Sequence, residues 1–178
     1  MDIASMCATS TKVFILEVMG RHAGWIAAAA ALAQQSPQQG PHLILLPEVT
    51  FDPERFLTKV KQTVDAYGHC VVVASEGIQD ATGQFVAAQG TRDAFGHQQL
   101  GGVAPTLAQL VTQRWQFKTH WAVSDYLQRS ARHIASAVDV EQSYALGQHA
   151  IEQALLRQSG VMLTIERLSS TPYRWQIG

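Results

Sequence analysis

An arginine in a glycine turn between a predicted strand and a predicted helix is the first residue with an evident chemical use. Arg21 follows the apolar run Val13–Val18, is flanked by Gly20 and Gly24, and precedes the alanine segment Ala27–Ala31. This pattern would place a guanidinium and several backbone N–H groups where α/β proteins bind anionic ligands. The arginine could form a forked, charge-assisted contact with phosphate or carboxylate. A tight strand–helix turn with an ordinary surface arginine accounts for the spacing equally well.

Two further groups of polar residues follow predicted strands. Glu76 comes directly after the apolar run Cys70–Ala74, where its carboxylate could accept hydrogen bonds from hydroxyl groups; it could equally be a helix N-terminal acid that the helix dipole stabilises. Tyr126 and Arg129 share a face if their segment is helical, with Arg132 nearby. A solvated helical face is the simpler interpretation of that second group.

The elements that position these residues alternate between strand and helix. Sequence patterns predict strands over residues 12–18, 43–46 and 70–74, with helices over 24–35 and 53–67. Asp52 and Pro53 are typical of a helix start, and Gly68 of a helix end. Continuous apolar runs indicate strands buried on both faces. This order predicts a three-layer, Rossmann-like parallel sheet flanked by helices, with its strand ends at one edge.

The rest of the chain is less regular. Residues 79–118 are polar and glycine-rich at first and indicate an insertion, although 105–115 is predicted to be a helix. A strand over 118–123, a long helix over 138–158 and a last strand over 161–165 follow, and 169–175 is predicted to be a loop. We expect one domain over residues 1–178.

Composition excludes several classes of function. The 178 residues carry a formal net charge of −1, so no basic field is available for binding nucleic acid. The seven histidines form no closely spaced helical zinc pair, and two distant cysteines indicate reduced thiols. No signal peptide is evident, and the apolar run Ile26–Ala33 is too short to span a bilayer. We therefore expect a soluble, cytoplasmic protein with neither nucleic-acid nor membrane partners.

Together these segments resemble the phosphofructokinase family. The segment Glu17–Trp25 is similar to the sugar-phosphate motif of that family, and Pro47-Glu48 and Ser75-Glu-Gly-Ile78 match as well. The amino-acid sequences of residues 93–105 and 118–133 resemble those of the bacterial pyrophosphate-dependent branch. The resemblance covers roughly residues 3–167 and implies the family's sugar-binding domain.

The resemblance implies a role for particular residues of this chain. Met19, Gly20 and Arg21 match the residues that hold fructose 6-phosphate, and Glu76 matches the acceptor of sugar hydroxyls. Two places compete for the family's histidine–arginine pair. His97 resembles that histidine, but Leu100 stands where the arginine is required, whereas the segment from Tyr126 to Arg129 fits the helix that follows. Tyr126 and Arg129 are therefore assigned to substrate binding, with His120 and Lys118 as further candidates.

The resemblance also identifies what this sequence lacks. The family's Gly-Gly-Asp donor loop and its catalytic aspartate segment are absent, so we expect the carboxyl-terminal portion of a longer enzyme. That enzyme would transfer a phosphoryl group from pyrophosphate to the 1-hydroxyl of fructose 6-phosphate, with Mg²⁺ held by the missing portion. No catalytic residue is expected in this chain, although Arg21 could stabilise the transition state. The chain alone should be inactive and is expected to form a homo-oligomer. Alternatives are an ATP-dependent relative and a non-catalytic sugar-phosphate-binding or regulatory module.

Overall fold

The computed structural model describes residues 3–92 and 98–178, which form two compact units over 1–128 and 129–178. The motif of Gly96 and His97 lies outside the described residues. The expectation of a single sugar-phosphate domain over residues 1–178 stays a prediction. The first unit contains, in chain order, α1 (Ile3–Ala8), β1 (Val13–Val18), α2 (Trp25–Ala29), β2 (Leu43–Leu45), α3 (Pro53–Tyr67), β3 (Cys70–Ser75), β4 (Ala88–Arg92), β5 (Gln98–Leu100), α4 (Val103–Trp115) and β6 (Thr119–Val123).

Four strands of the first unit form one parallel sheet in the order β2-β3-β1-β6. Val18 at the end of β1 pairs with Ser75 at the end of β3, and Glu17 pairs with Val123 at the end of β6. The carboxyl ends of these three strands therefore lie side by side. The predicted parallel α/β sheet, with its strand ends at a shared edge, is confirmed.

Helices cover both faces of this sheet. On one face, α3 buries Phe56, Leu57, Val60 and Val64, and they pack with alternate residues of β1 and β3. On the other face, Ala27 of α2 packs with Val18 and Val73. Alternation of side chains along β1 and β3 supplies both cores, as expected for strands buried on both sides.

Helix α3 begins and ends where the sequence predicts. The side chain of Asp52 accepts hydrogen bonds from the backbone N–H groups of Glu54 and Arg55, at 2.9 and 3.0 Å, and Pro53 is the first helical residue. Gly68 ends the helix in the left-handed conformation with φ of 79°. Asp52 thus satisfies amide donors that the helix cannot satisfy itself.

Helix α4 is an integral part of the core. Five of its residues are buried, and they pack in the same cluster as α3 and the sheet. They are Val103, Ala104, Leu107, Ala108 and Val111. The insertion predicted over 79–118 therefore includes a core helix in the connection from β3 to β6. Strands β4 and β5 pair with each other outside the main sheet. The helix predicted over 105–115 is confirmed, and it begins two residues earlier, directly after Gly101 and Gly102.

Other boundaries differ from the prediction for physical reasons. The α-helical part of α2 ends at Ala29 and continues as a 3₁₀ turn over Ala30–Ala33. Strand β2 is only half-buried because it lies at the edge of the sheet, whereas continuous hydrophobicity predicted full burial.

The second unit ends in a β-hairpin, and the prediction of a loop over 169–175 is wrong. A short helix, α5 (Leu127–Ser130), spans the boundary between the units, and α6 (Ala137–Leu155) follows. Strands β7 (Ile165–Ser170) and β8 (Tyr173–Ile177) then pair antiparallel. The predicted strand over 161–165 contains only the first residue of β7, because the apolar run precedes the pairing segment.

Both cysteines are free thiols, which agrees with the prediction of reduced cysteines. Cys70 lies buried at the start of β3, and this burial raises the pKa of its thiol to about 12. Among residues 3–92 and 98–178, no helix has the length and hydropathy that crossing a membrane would require.

Glu17 is a carboxylate inside the core at the end of β1. Its side chain is 1% exposed and accepts hydrogen bonds from the backbone N–H groups of Gly102, at 3.2 Å, and Ala104, at 2.8 Å. Gly102 precedes α4 and offers no side chain of its own for capping. Glu17 therefore replaces the missing cap and ties α4 to the central strand.

Replacing Glu17→Ala should destabilise the first unit by roughly 2–4 kcal/mol, since one buried and one partly buried amide group lose their acceptor. Urea denaturation measures this change. The control Glu54→Ala removes an exposed acid from the first turn of α3 and should cost at most about 1 kcal/mol. Equal losses for the two variants would contradict the capping role of Glu17.

Candidate functional site

The turn after β1 is fixed by contacts of Gly20 with the loop after β3. The Ser75 hydroxyl donates to the Gly20 carbonyl at 2.5 Å, and the Gly77 N–H donates to the same carbonyl at 3.1 Å. Gly20 has φ of 145°, and a Cβ there would lie 2.5 Å from Ser75 Oγ and 2.7 Å from the Ala23 carbonyl oxygen. Glycine is therefore required at this position.

The loop after β3 approaches the same turn just as closely. A Cβ on Gly77 would overlap the carbonyl group of Arg21, so the two backbones are in direct contact. This contact positions Glu76, whose N–H donates to the Val18 carbonyl at 3.0 Å and whose Oε1 accepts from the Gly20 N–H at 3.2 Å. The predicted residues Gly20 and Glu76 are thus hydrogen-bonded to each other.

The amino end of α2 is already capped by a carboxylate of this chain. Glu48 follows β2, and its Oε1 accepts a hydrogen bond from the Gly24 N–H at 2.7 Å. Gly24 lies so close that a Cβ would be 2.8 Å from Glu48 Oε2. The sequence pattern predicted that an anionic ligand binds at the amino end of α2, but the Glu48 carboxylate already accepts the hydrogen bond of the Gly24 amide there. An anionic ligand must therefore depend on Arg21 and other side chains more than on α2.

A tight turn after β6 places Tyr126 beside the ends of β1 and β3. The Ser124 N–H donates to the Glu17 carbonyl at 2.9 Å, which continues the pairing of β6 with β1. The Leu127 N–H then donates back to the Ser124 carbonyl at 2.9 Å, and Asp125 within this turn has φ of 41°. Tyr126 is 65% exposed, so its ring faces solvent at the sheet edge.

These segments surround a cleft of about 330 Å³ in the first unit. It is lined by Glu17, Val18, Met19, Glu76, Leu100, Gly101, Gly102, Val123, Asp125 and Tyr126. Three residues predicted from the sequence, Met19, Glu76 and Tyr126, share this cleft, although they are separated by up to 107 positions in the chain. A ligand that fills it would meet carboxylates, a phenol and apolar surface.

The other predicted residues lie elsewhere. Arg21 is half-buried in the turn that Gly20 and Gly77 fix. Arg129 belongs to the second unit, where it is exposed on α5. His120 is exposed on β6, opposite Phe14 in the pairing register. Lys118 precedes β6 and donates from Nζ to Ser10 Oγ at 2.7 Å, at the end of the sheet opposite the cleft.

Three residues that shape the site lie in the motifs that carry the resemblance, but the sequence analysis assigned no individual role to any of them. Glu17, Glu48 and Ser75 hold Ala104, Gly24 and Gly20 respectively through the hydrogen bonds described above. Glu17 lies next to the last residue of β1, and Glu48 lies three residues after β2. These positions mark strand ends but do not identify the amide that each carboxylate meets. In the part of the chain that the structure describes, no group of three or more histidine, cysteine, aspartate or glutamate side chains is arranged to hold a metal ion.

Comparisons with known proteins indicate which family the chain is similar to. A profile described as Phosphofructokinase matches residues 1–154. The chain is 56% identical to a pyrophosphate–fructose 6-phosphate 1-phosphotransferase of Halomonas elongata, over 99% of this chain and 42% of the relative. It is 58% identical to the enzyme of the same name from Methylococcus capsulatus, with the same two coverages. A crystal structure of a pyrophosphate-dependent phosphofructokinase from Marinobacter aquaeolei is 56% identical and superposes with a TM-score of 0.78, over 99% of this chain and 41% of that one.

The chain thus spans less than half the length of the relatives it matches. The profile nevertheless covers most of the chain, and the structural match to a solved relative covers 99% of it. From the sequence profile, the relatives and the fold together, this chain belongs to the phosphofructokinase family.

Proposed function

We propose that this chain forms the fructose 6-phosphate-binding part of a pyrophosphate-dependent phosphofructokinase. The observation that carries the proposal is the meeting of three strand ends at one cleft, where Met19, Glu76 and Tyr126 lie together and Glu76 is bonded to Gly20. Ligands of open α/β sheets bind at the carboxyl ends of the strands. The names of the relatives at 56–58% identity support the choice of sugar phosphate and of pyrophosphate.

Each residue has a chemical task in this proposal. The Glu76 carboxylate accepts hydrogen bonds from hydroxyl groups of the sugar, since an ionised carboxylate is an acceptor only. The guanidinium group of Arg21 binds phosphoryl oxygens in a forked geometry, and the Tyr126 hydroxyl donates a hydrogen bond to the ligand. Arg129, which belongs to the second unit, is a further substrate-binding residue in this proposal. The backbone of Met19 and Gly20 borders the sugar. His120 is a further candidate for phosphate binding. Lys118 is a weaker candidate than His120, because it lies at the end of the sheet opposite the cleft.

Phosphoryl transfer needs parts that this chain does not supply. The reaction depends on positioning and on neutralising charge that develops on the transferred group. We infer that the pyrophosphate site, the general base and the groups that bind Mg²⁺ belong to the part of the enzyme that this chain does not span. Mg²⁺ would neutralise charge on pyrophosphate there. Arg21 contributes substrate binding and charge at the transferred group.

Assembly and location are also part of the proposal. Large apolar side chains are exposed on both units, among them Trp25 at 81% and Leu32 at 89%. Apolar surface of this kind is typical of an interaction face. We propose that the complete enzyme is a homo-oligomer that acts in the cytoplasm.

Isothermal titration of the chain with fructose 6-phosphate tests the proposed ligand. We expect saturable binding that Arg21→Ala weakens at least about tenfold, because a charge-assisted contact with phosphate is lost. Arg21→Lys should retain part of the affinity. The control Arg55→Ala removes an exposed arginine of α3 and should change nothing. Equal effects of Arg21→Ala and Arg55→Ala would contradict the role of Arg21.

The chain alone should not catalyse phosphoryl transfer. A coupled assay with pyrophosphate, Mg²⁺ and fructose 6-phosphate should give no fructose 1,6-bisphosphate above the enzyme-free blank, because the donor site is incomplete. A full-length relative serves as the positive control. Turnover that scales with the concentration of this chain would show that it contains a complete active site.

A further inference from the structure

Asp125 has an uncommon backbone conformation at the edge of the cleft. Its φ is 41°, in the left-handed region, where aspartate, asparagine and glycine are the residues most readily accommodated. The turn from Ser124 to Leu127 requires this conformation, and the hydrogen bond between those two residues closes the turn. The backbone conformation therefore explains why this position holds aspartate, asparagine or glycine. It does not explain why the residue is the charged one of these three.

The surroundings of Asp125 suggest what its charge could do. Asp125 is exposed and lines the cleft together with Glu76, so the ends of β6 and β3 each contribute a carboxylate on either side of the end of β1. Two anionic groups in one small cleft disfavour a phosphate at that place by repulsion. The same groups favour a ligand that presents hydroxyl donors, because carboxylates only accept hydrogen bonds.

We propose that Asp125 is a specificity-determining residue whose carboxylate accepts a hydrogen bond from a hydroxyl group of the bound sugar. Asp125 and Glu76 would then contact the hydroxyl-bearing part of the ligand and exclude its phosphate from their part of the cleft. The proposal rests on the proposed function, since it concerns the same sugar phosphate. It adds a residue, and an orientation of the ligand, that follow from the cleft geometry.

Three variants distinguish the effect of losing the Asp125 carboxylate from the effect of distorting the backbone turn. Asp125→Asn and Asp125→Gly both tolerate a positive φ but remove the charge, whereas Asp125→Ala adds backbone strain. Asp65→Asn is the matched control, because Asp65 is exposed on α3 and pairs with Lys61. Thermal unfolding shows whether each variant is folded.

The test is calorimetric titration of each folded variant with fructose 6-phosphate and, separately, with inorganic phosphate. We expect Asp125→Asn and Asp125→Gly to weaken binding of fructose 6-phosphate about tenfold, as loss of a hydrogen bond to a charged group implies. Neither variant should weaken binding of inorganic phosphate, and Asp65→Asn should change neither ligand.

Each other outcome overturns a defined statement. Unchanged affinity for fructose 6-phosphate in Asp125→Asn and Asp125→Gly would reduce Asp125 to a turn residue and overturn the inference alone. Equal weakening for both ligands would place Asp125 away from the hydroxyl groups and also overturn it. Failure of the unaltered chain to bind fructose 6-phosphate would overturn the proposed function and this inference together.

Discussion

Direct contact between two backbone turns is the constraint on which the site depends. The loop after β3 touches the turn after β1 at Gly20 and Gly77, where a side chain on either residue would collide with its neighbour. Because the turns are this close, the Glu76 carboxylate reaches the Gly20 amide, and the Ser75 hydroxyl reaches the Gly20 carbonyl. The parallel pairing of β1 with β3 delivers both turns to the same edge. Sheet topology and two glycines thus place the residues that we propose bind sugar.

Three glutamates complete this edge by accepting hydrogen bonds from backbone amides. Glu17 binds the start of α4, Glu48 binds the start of α2, and Glu76 binds the turn between them. Backbone amides at helix starts are the usual partners of phosphate in α/β proteins. Here carboxylates of the chain occupy the Gly24 amide at α2 and the Gly102 and Ala104 amides at α4, which leaves arginine side chains as the main source of attraction in the proposed binding of an anionic ligand. This division of tasks separates a hydroxyl-binding surface from a phosphate-binding one.

The sequence predicts those parts of the molecule that depend on local pattern. Apolar runs and caps at Asp52 and Gly68 locate β1, α3 and β3, and strand order then brings Met19 and Glu76 together. The sequence does not predict the partners of Glu17 and Glu48, because each carboxylate meets an amide brought close only by folding. Helix α4 is predicted over 105–115, but its place in the core is not, because residues 79–118 are interpreted as an insertion. The last hairpin is not predicted, because its segments of mixed polar and apolar residues form β7 and β8 by pairing with each other.

The most direct test of this account is the position of bound sugar phosphate, measured by backbone amide NMR of the 19.5 kDa chain titrated with fructose 6-phosphate. The account predicts saturable shifts at the amides of Gly20, Gly77, Gly102 and Tyr126, with little change in α3. Shifts confined to residues 34–42, at the opposite end of the sheet, or the absence of any saturable shift at the three strand ends would contradict it.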